Sequence, residues 1–132
     1  MPEVTEEDIL ARFILHRNRY SPTKGIVKLH AFMPDPKGEL SVFVISNWLD
    51  EIIWQVGQDY VAGPQGKSLK ARGDLVVSVV LKNRLTVDMD NNPVGHANVM
   101  GWPDSDHKDE QKIIAIELAK ASRLLINPVL AK

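Results

Sequence analysis

The chain contains no cysteine, and this excludes disulfide bonds, thiolate metal sites and a cysteine nucleophile. No apolar stretch is long enough to span a bilayer. The amino terminus is acidic and lacks the basic start and apolar run of a secretory signal. We therefore expect a cytoplasmic protein that neither enters a membrane nor undergoes processing.

Familiar catalytic and cofactor motifs are also missing. The chain has no P-loop, dinucleotide-binding fingerprint, zinc-ligand quartet, Gly-x-Ser-x-Gly elbow or EF-hand loop. The four histidines lack ligand-pair spacing, and the acidic turn at Asp88 and Asp90 lacks the glycine and final glutamate of a calcium loop. The sequence therefore predicts no metal and no cofactor, and it leaves open whether the protein is an enzyme.

Hydrophobic residues make up 44 % of the chain and charged residues 25 %, with a net charge of −1. These values are typical of a globular protein and unlike those of a disordered one. We predict that residues 1–132 form one domain, because a chain of this length suits a single hydrophobic core. The small net charge argues against a surface built as a whole for nucleic acid.

The charges are nevertheless unevenly distributed along the chain. Between Ile9 and Met33 there is no acidic residue, and the basic residues and histidines of that segment are Arg12, His16, Arg17, Arg19, Lys24, Lys28 and His30. Such a segment can form a local positive face that binds phosphate. An ordinary solvated face, paired with acids elsewhere, is the alternative.

Helical patterns occur in three places. Thr5 resembles an N-cap and residues 9–14 follow helical spacing, so a short first helix is predicted. Asn47 is typical of the start of a second helix with one apolar stripe. A third helix is predicted to begin near Asp106, with a stripe that includes Leu125.

Strand patterns alternate with these helices. Ile26–Met33 and Glu39–Ser46 are predicted to form a hairpin across a loop that contains two prolines. Further strands are predicted at Asp74–Leu81, Leu85–Val87 and His96–Met100. The order of elements predicts an α+β fold, with a mainly antiparallel sheet of about four or five strands packed with about three helices.

The first candidate site lies in the segment that contains His96. If this segment is extended, His96 and Asn98 share a face of the strand, and Trp102 follows in a loop. An imidazole and a carboxamide can together orient a polar ligand or move a proton. We therefore predict a binding groove near His96, Asn98 and Trp102. A hydrogen-bonded structural histidine is the alternative.

A second candidate site combines histidines with the basic segment. His96 or His30 would be the acid–base group, and Arg12, Arg17 and Lys28 would bind phosphate. Metal-independent cleavage of RNA or of a nucleotide requires such groups to converge. Sequence spacing does not show whether they do.

Four short segments carry a resemblance. They are Arg12-Phe13, Ala31-Phe32-Met33-Pro34, Leu40-Ser41-Val42 and His96-Ala97-Asn98-Val99. In this order they resemble a loose group of small uncharacterised bacterial proteins, in which an Ala-Phe-x-Pro turn precedes a Leu-Ser-Val strand and a His-Ala-x-hydrophobic element comes late. The resemblance implies architecture and no activity. It also implies a shared structural or binding role for His96, Ser41 and Phe32.

Two functions from different classes follow from these observations. The first is a binding or interaction module that acts with another bacterial protein at the groove near His96. The second is a metal-independent enzyme that acts on RNA or a nucleotide. A protein whose apolar faces form a homodimer is a third interpretation.

Overall fold

The computed structural model describes residues 4–131. None of the helices within these residues has the length and apolar character required to cross a membrane. The strands are β1 (Ile9–Ile14), β2 (Tyr20–Ser21), β3 (Ile26–Val27), β4 (Leu40–Val44), β5 (Ala71–Val76), β6 (Thr86–Asp88), β7 (His96–Met100) and β8 (Arg123–Ile126). The α-helices are α1 (Asp50–Ala62), α2 (Val77–Lys82) and α3 (Lys108–Ala121).

Six strands form one sheet in the order β6-β7-β4-β1-β5-β8, and every neighbouring pair is antiparallel. A separate two-stranded sheet joins β2 and β3. The predicted α+β class and the antiparallel sheet are confirmed. The strands are more numerous than predicted, mainly because β1 and β8 lie where helices were expected.

The predicted first helix is wrong, because Ile9–Ile14 is strand β1 at the centre of the sheet. A central strand is covered on both faces. β1 buries Leu10 and Ile14 on one face and Ala11 and Phe13 on the other. Over only six residues, this two-sided apolar pattern is easily mistaken for the stripe of a helix.

The predicted hairpin is also wrong. Within its first arm, Ile26–Val27 pairs with β2 and Leu29–Phe32 forms a 3-10 turn. Its second arm is β4, whose neighbours are β1 and β7. β4 therefore pairs with segments distant in sequence, because it is buried in the interior of the sheet, and the local turn signal does not determine its partner.

Two predicted elements change type part-way along. The strand predicted over Asp74–Leu81 ends at Val76, and α2 begins at Val77. The last helix ends at Ala121, and Arg123–Ile126 is the edge strand β8 beside β5. The predicted positions of α1, β4, β7 and the start of α3 agree closely with the structure.

The sheet separates two hydrophobic cores. One core packs against α2, α3 and the Leu29–Phe32 turn, and the other packs against Ile53 and Trp54 of α1. Side chains alternate along a strand, so Val42 of β4 enters the first core and Phe43 enters the second. By the same alternation, Ser41 lies on the face of the sheet that α1 covers.

Candidate active site

A chain of hydrogen bonds connects side chains from two strands, one loop and helix α1 on the α1 face of the sheet. Asp90 Oδ1 lies 2.7 Å from His96 Nδ1, and His96 Nε2 lies 2.7 Å from Ser41 Oγ. The hydroxyl of Tyr60 on α1 lies 3.0 Å from Ser41 Oγ and 3.3 Å from His96 Nε2. The arrangement joins a carboxylate, an imidazole and a hydroxyl in the order used for nucleophilic catalysis by serine.

The carboxylate of Asp90 determines how the protons are arranged. An ionised carboxylate only accepts hydrogen bonds, so Nδ1 of His96 donates to Asp90. In the neutral imidazole, Nε2 then carries the lone pair and accepts a hydrogen bond from the hydroxyl of Ser41. Desolvation raises the pKa of the Asp90 carboxyl, but hydrogen bonds from His96, the backbone N–H of Asn92 and Asn98 outweigh it and lower the pKa overall. Asp90 therefore stays ionised near neutral pH.

Strand pairing positions the imidazole and the hydroxyl. His96 is the partner of Phe43, and Asn98 is the partner of Ser41, so all four side chains lie on one face of the β4–β7 pair. The ring of Phe43 meets the His96 ring edge-on, with centroids 5.3 Å apart. Tyr60 packs against Phe43 in the same way at 5.0 Å. His96 is only 6 % exposed, and its ring is held by packing as well as by hydrogen bonds.

The loop between β6 and β7 supplies Asp90. Its side chain accepts a hydrogen bond from the backbone of Asn92, and Nδ2 of Asn98 lies 3.3 Å from its second oxygen. Asn91 closes the loop from both sides, since its N–H donates to the carbonyl of His96 and its side chain accepts from Gly95. These bonds hold the carboxylate against the imidazole at the start of β7.

Arg12 stands at the point where β1 and β4 separate. The last partner pair of these strands at this end is Ala11 with Phe43. Beyond it, Arg12 Nη1 donates to the carbonyl of Ser41 at 3.0 Å, and Nε donates to the carbonyl of Ala31 at 2.7 Å. The guanidinium thus satisfies the carbonyl of Ser41, at the point where the ladder has ended, and a second carbonyl in the Leu29–Phe32 turn.

The charge of Arg12 persists despite its position. Burial, together with the like charge of Arg19, lowers the pKa of the Arg12 guanidinium to about 10. This value still leaves the group protonated near neutral pH. Arg19 lies nearby and donates from Nη1 to the carbonyl of His30 at 2.9 Å.

Two cavities meet at Ser41. The first has a volume of about 450 Å³ and the second about 390 Å³, and both are lined by Arg12, Arg19 and Ser41. The other residues of the first cavity include Phe13, His16, Phe43, Tyr60 and Val61. The other residues of the second include His30, Met33, Asp35, Glu39 and Lys108. His96 does not line the first cavity itself, but it is hydrogen-bonded to Ser41 and Tyr60, which do.

The predicted site residues are only partly brought together. His96 and Asn98 both contact Asp90, whereas Trp102 is 9 % exposed and lies in the core with its Nε1 donating to the carbonyl of Val99. Trp102 is therefore not part of a groove with His96. Its indole follows the apolar side of β7 into the core, because burial of a large ring outweighs its loop position.

The basic segment is divided in a similar way. Arg12 lines both cavities and His30 lines the second. Arg17 and Lys28 are exposed and line neither cavity. The structure thus brings Arg12 and His30 near Ser41, together with His16 and Arg19, and leaves Arg17 and Lys28 on the surface outside.

Sequence reasoning missed two members of the site and named a third only through the resemblance. Asp90 resembled a solvated turn, Tyr60 resembled an ordinary residue of a helical stripe, and Ser41 was singled out by resemblance alone. A usable signal is the placement of Ser41 and His96 at inward-facing positions of two strands. That signal becomes visible only when β4 and β7 are known to pair.

Among residues 4–131, no group of three or more histidine and acidic side chains is placed to hold a metal ion. The chain matches no protein-family model, no curated protein and no solved structure.

Proposed function

We propose that this protein is a hydrolase that uses Ser41 as its nucleophile, His96 as its acid–base group and Asp90 as the residue that orients His96. The observation that carries the proposal is the continuous chain of bonds from Asp90 through His96 to Ser41, with 2.7 Å at each step. This series of hydrogen bonds ends at Ser41, which lines a cavity.

The geometry supports a two-step reaction through a covalent intermediate. Ser41 Oγ attacks the electrophilic centre of the substrate, and its proton passes to His96 Nε2. The bond to the leaving group then breaks, and the leaving group takes the proton from Nε2. Water next attacks the intermediate and gives a proton to Nε2, and the release of Ser41 Oγ returns that proton to the serine.

Asp90 and Tyr60 assist these steps in different ways. Asp90 fixes the tautomer of His96 and stabilises the imidazolium that forms when Ser41 attacks. Tyr60 is 44 % exposed on α1, and its hydroxyl can donate a hydrogen bond to the oxygen of Ser41. A donor in this position stabilises the negative charge that develops on Ser41 Oγ when water displaces it from the covalent intermediate.

The two functions inferred from the sequence depend on different residues, and the structure places these residues differently. The interaction module relied on a groove shared by His96 and Trp102, and Trp102 is buried in the core. The enzyme interpretation relied on His96 or His30 with Arg12, Arg17 and Lys28, and of these three basic residues only Arg12 lines the cavity to which Ser41 also contributes. The hydrolase retains His96 as its acid–base group and adds a nucleophile.

A fluorophosphonate probe tests this proposal, because it forms a covalent adduct with serine hydroxyls that a neighbouring base activates. We expect one adduct per chain by intact-mass spectrometry, mapped to Ser41 by peptide analysis. Ser41→Ala should abolish the adduct, and His96→Gln should slow its formation. The matched control is Ser68→Ala, which replaces an exposed serine of the loop before β5. A folded wild-type protein without an adduct, or an adduct that persists in Ser41→Ala, would contradict the proposal.

A further inference from the structure

The positive charge around Ser41 bears on the kind of bond that the site cleaves. Arg12 and Arg19 line both cavities, as does Ser41, and Arg12 Nη1 donates to the main-chain carbonyl of Ser41 at 3.0 Å. Nε and Nη1 of Arg12 are used by main-chain carbonyls, so its guanidinium is fixed in orientation. Its Nη2 has no hydrogen-bond partner within the described part of the chain. A cation that is fixed by the main-chain carbonyl of Ser41 and keeps one unused donor therefore lines both cavities.

This charge distinguishes between two classes of ester. A carboxylic ester is neutral before attack, and neutral N–H donors commonly stabilise its oxyanion. A phosphoester is anionic before attack, and negative charge is spread over its non-bridging oxygens during transfer. Arginine guanidinium groups bind such oxygens with charge-assisted hydrogen bonds. Two arginines in the cavities that Ser41 lines therefore favour a phosphorus centre.

The shape of the site further restricts the substrate. Ser41 lines two cavities, and the remaining residues of their walls differ in character. The first has an apolar and aromatic wall formed by Phe13, Phe43, Tyr60 and Val61. The second has the polar side chains His30, Asp35, Glu39 and Lys108. A phosphodiester has two organic groups on one phosphate and can occupy both cavities, whereas a monoester has only one.

The acids of the second cavity fit the same interpretation. Asp35 accepts hydrogen bonds from the backbone N–H groups of Lys37 and Glu39. Its carboxylate therefore already stabilises the loop between these residues. Asp35 and Glu39 together oppose a second phosphate in this cavity. They suit hydroxyl groups, which donate hydrogen bonds to carboxylates. The second cavity therefore suits a ligand with one phosphate at the arginines and a group that carries hydroxyls near Asp35 and Glu39.

We propose that the substrate of this site is a phosphodiester, with its phosphorus at Ser41 between Arg12 and Arg19, one organic group in each cavity. This proposal rests on the proposed hydrolase function. Ser41 Oγ forms a bond to phosphorus while the bond from phosphorus to one ester oxygen breaks, and the serine proton reaches that oxygen through His96. Water then cleaves the phosphoseryl bond, which leaves a phosphomonoester and restores Ser41.

The test compares bis(4-nitrophenyl) phosphate, thymidine 5′-(4-nitrophenyl phosphate), the dinucleotide UpA, 4-nitrophenyl phosphate and 4-nitrophenyl acetate on the full chain. We expect kcat/KM to be highest for a diester and Ser41→Ala to abolish its cleavage. Arg19→Gln should lower kcat/KM for the diester about a hundredfold. Arg17→Gln is the matched control, because Arg17 and Arg19 lie in one 3-10 turn, Arg17–Arg19, and Arg17 lines neither cavity. Comparison of UpA with the thymidine ester distinguishes an RNA source from a nucleotide source.

A second readout keeps the outcomes distinct. Each diester is also added to the fluorophosphonate reaction, where we expect it to slow labelling of Ser41 in wild type and to have little effect in Arg19→Gln. If the probe labels Ser41 but no diester is cleaved or slows labelling, the phosphodiester is wrong and the hydrolase stands. Equal losses in Arg17→Gln and Arg19→Gln would also overturn the assignment of the phosphate to Arg19. If Ser41 is never labelled, the hydrolase itself fails.

Discussion

Ser41 and His96 lie diagonally across two antiparallel strands, and their side chains meet at 2.7 Å. The direct partner of His96 is Phe43, two residues beyond Ser41 on β4. Because side chains two residues apart share a face, the diagonal pair faces α1 together. The ring of Phe43 fills the space beside the imidazole. The pairing of β4 with β7 therefore creates the contact between the proposed nucleophile and its base.

The bond between Asp90 and His96 leads to the first prediction. In Asp90→Asn the amide can present either a donor or an acceptor to Nδ1, so the tautomer of His96 is no longer fixed. We expect the rate of fluorophosphonate labelling at Ser41 to fall on the order of a thousandfold. Asp88→Asn is the control, since Asp88 is an exposed residue of β6 that precedes the same loop. An unchanged rate in Asp90→Asn would show that Asp90 does not orient His96.

The close approach of Gly95 to Trp48 leads to the second prediction. Gly95 has a φ of +90°, and a Cβ there would lie 2.5 Å from Cη2 of Trp48. Gly95→Ala must therefore adopt a strained backbone and also displace the indole. Gly38→Ala is the matched control, because Gly38 has a φ of +80° with nothing within 4 Å of the added Cβ.

The measurement for this pair is urea unfolding. Gly38→Ala should lose about 1 to 2 kcal/mol of unfolding free energy from backbone strain alone. Gly95→Ala should lose more, and its labelling rate at Ser41 should fall, because the loop that ends at Gly95 also holds Asp90. Equal losses in the two variants would show that Trp48 moves aside at no cost.

The two carbonyls bound by Arg12 lead to the third prediction. Arg12→Lys keeps the charge, but an ammonium cannot reproduce the planar fork that reaches Ala31 and Ser41 together. We expect a loss of about 1 to 3 kcal/mol in unfolding free energy, because a buried carbonyl loses its donor. Chemical denaturation measures this loss. Arg17→Lys, on an exposed arginine, should change stability by less than about 0.5 kcal/mol. Similar values for the two variants would contradict the bridging role.

The pKa of Asp8 leads to the fourth prediction. Hydrogen bonds from the backbone of Thr5 and from Ser46 lower the pKa of the Asp8 carboxyl below its usual 3.8, against a smaller opposing effect of desolvation. A carboxyl whose pKa is lower in the folded state stabilises the fold above its unfolded pKa, and this stabilisation disappears as the pH falls through the folded pKa. Asp8→Asn should therefore cost up to about 1 kcal/mol near neutral pH, since the site is largely exposed.

Unfolding free energies of wild type and Asp8→Asn, measured from about pH 7 down to about pH 3, test this sign. The difference should be greatest at neutral pH and shrink below about pH 4. Glu7→Gln is the control, because Glu7 is an exposed acid next to Asp8. A difference that grows as the pH falls would contradict the assignment.

The candidate site shows why sequence reasoning found some of its members and missed others. His96 and Arg12 were found because an imidazole and a guanidinium have few roles in a core and stand out in any segment. Asp90 and Tyr60 were missed, because a carboxylate in a turn and a tyrosine in a helix are common on surfaces. Their importance arises from hydrogen bonds to His96, six and thirty-six residues away in the chain.

The sequence by itself determined the α+β class, the positions of α1, β4 and β7 and the start of α3, because these depend on patterns that repeat within a few residues. Only the tertiary structure decided that residues 9–14 are a central strand, that β4 pairs with β1 and β7, and that Trp102 is buried. Strand pairing joins distant segments, and its free energy comes from burying both faces of the sheet. A local sequence pattern does not indicate which distant strand will pair with it, so the contact of Ser41 with His96 exists only in the folded protein.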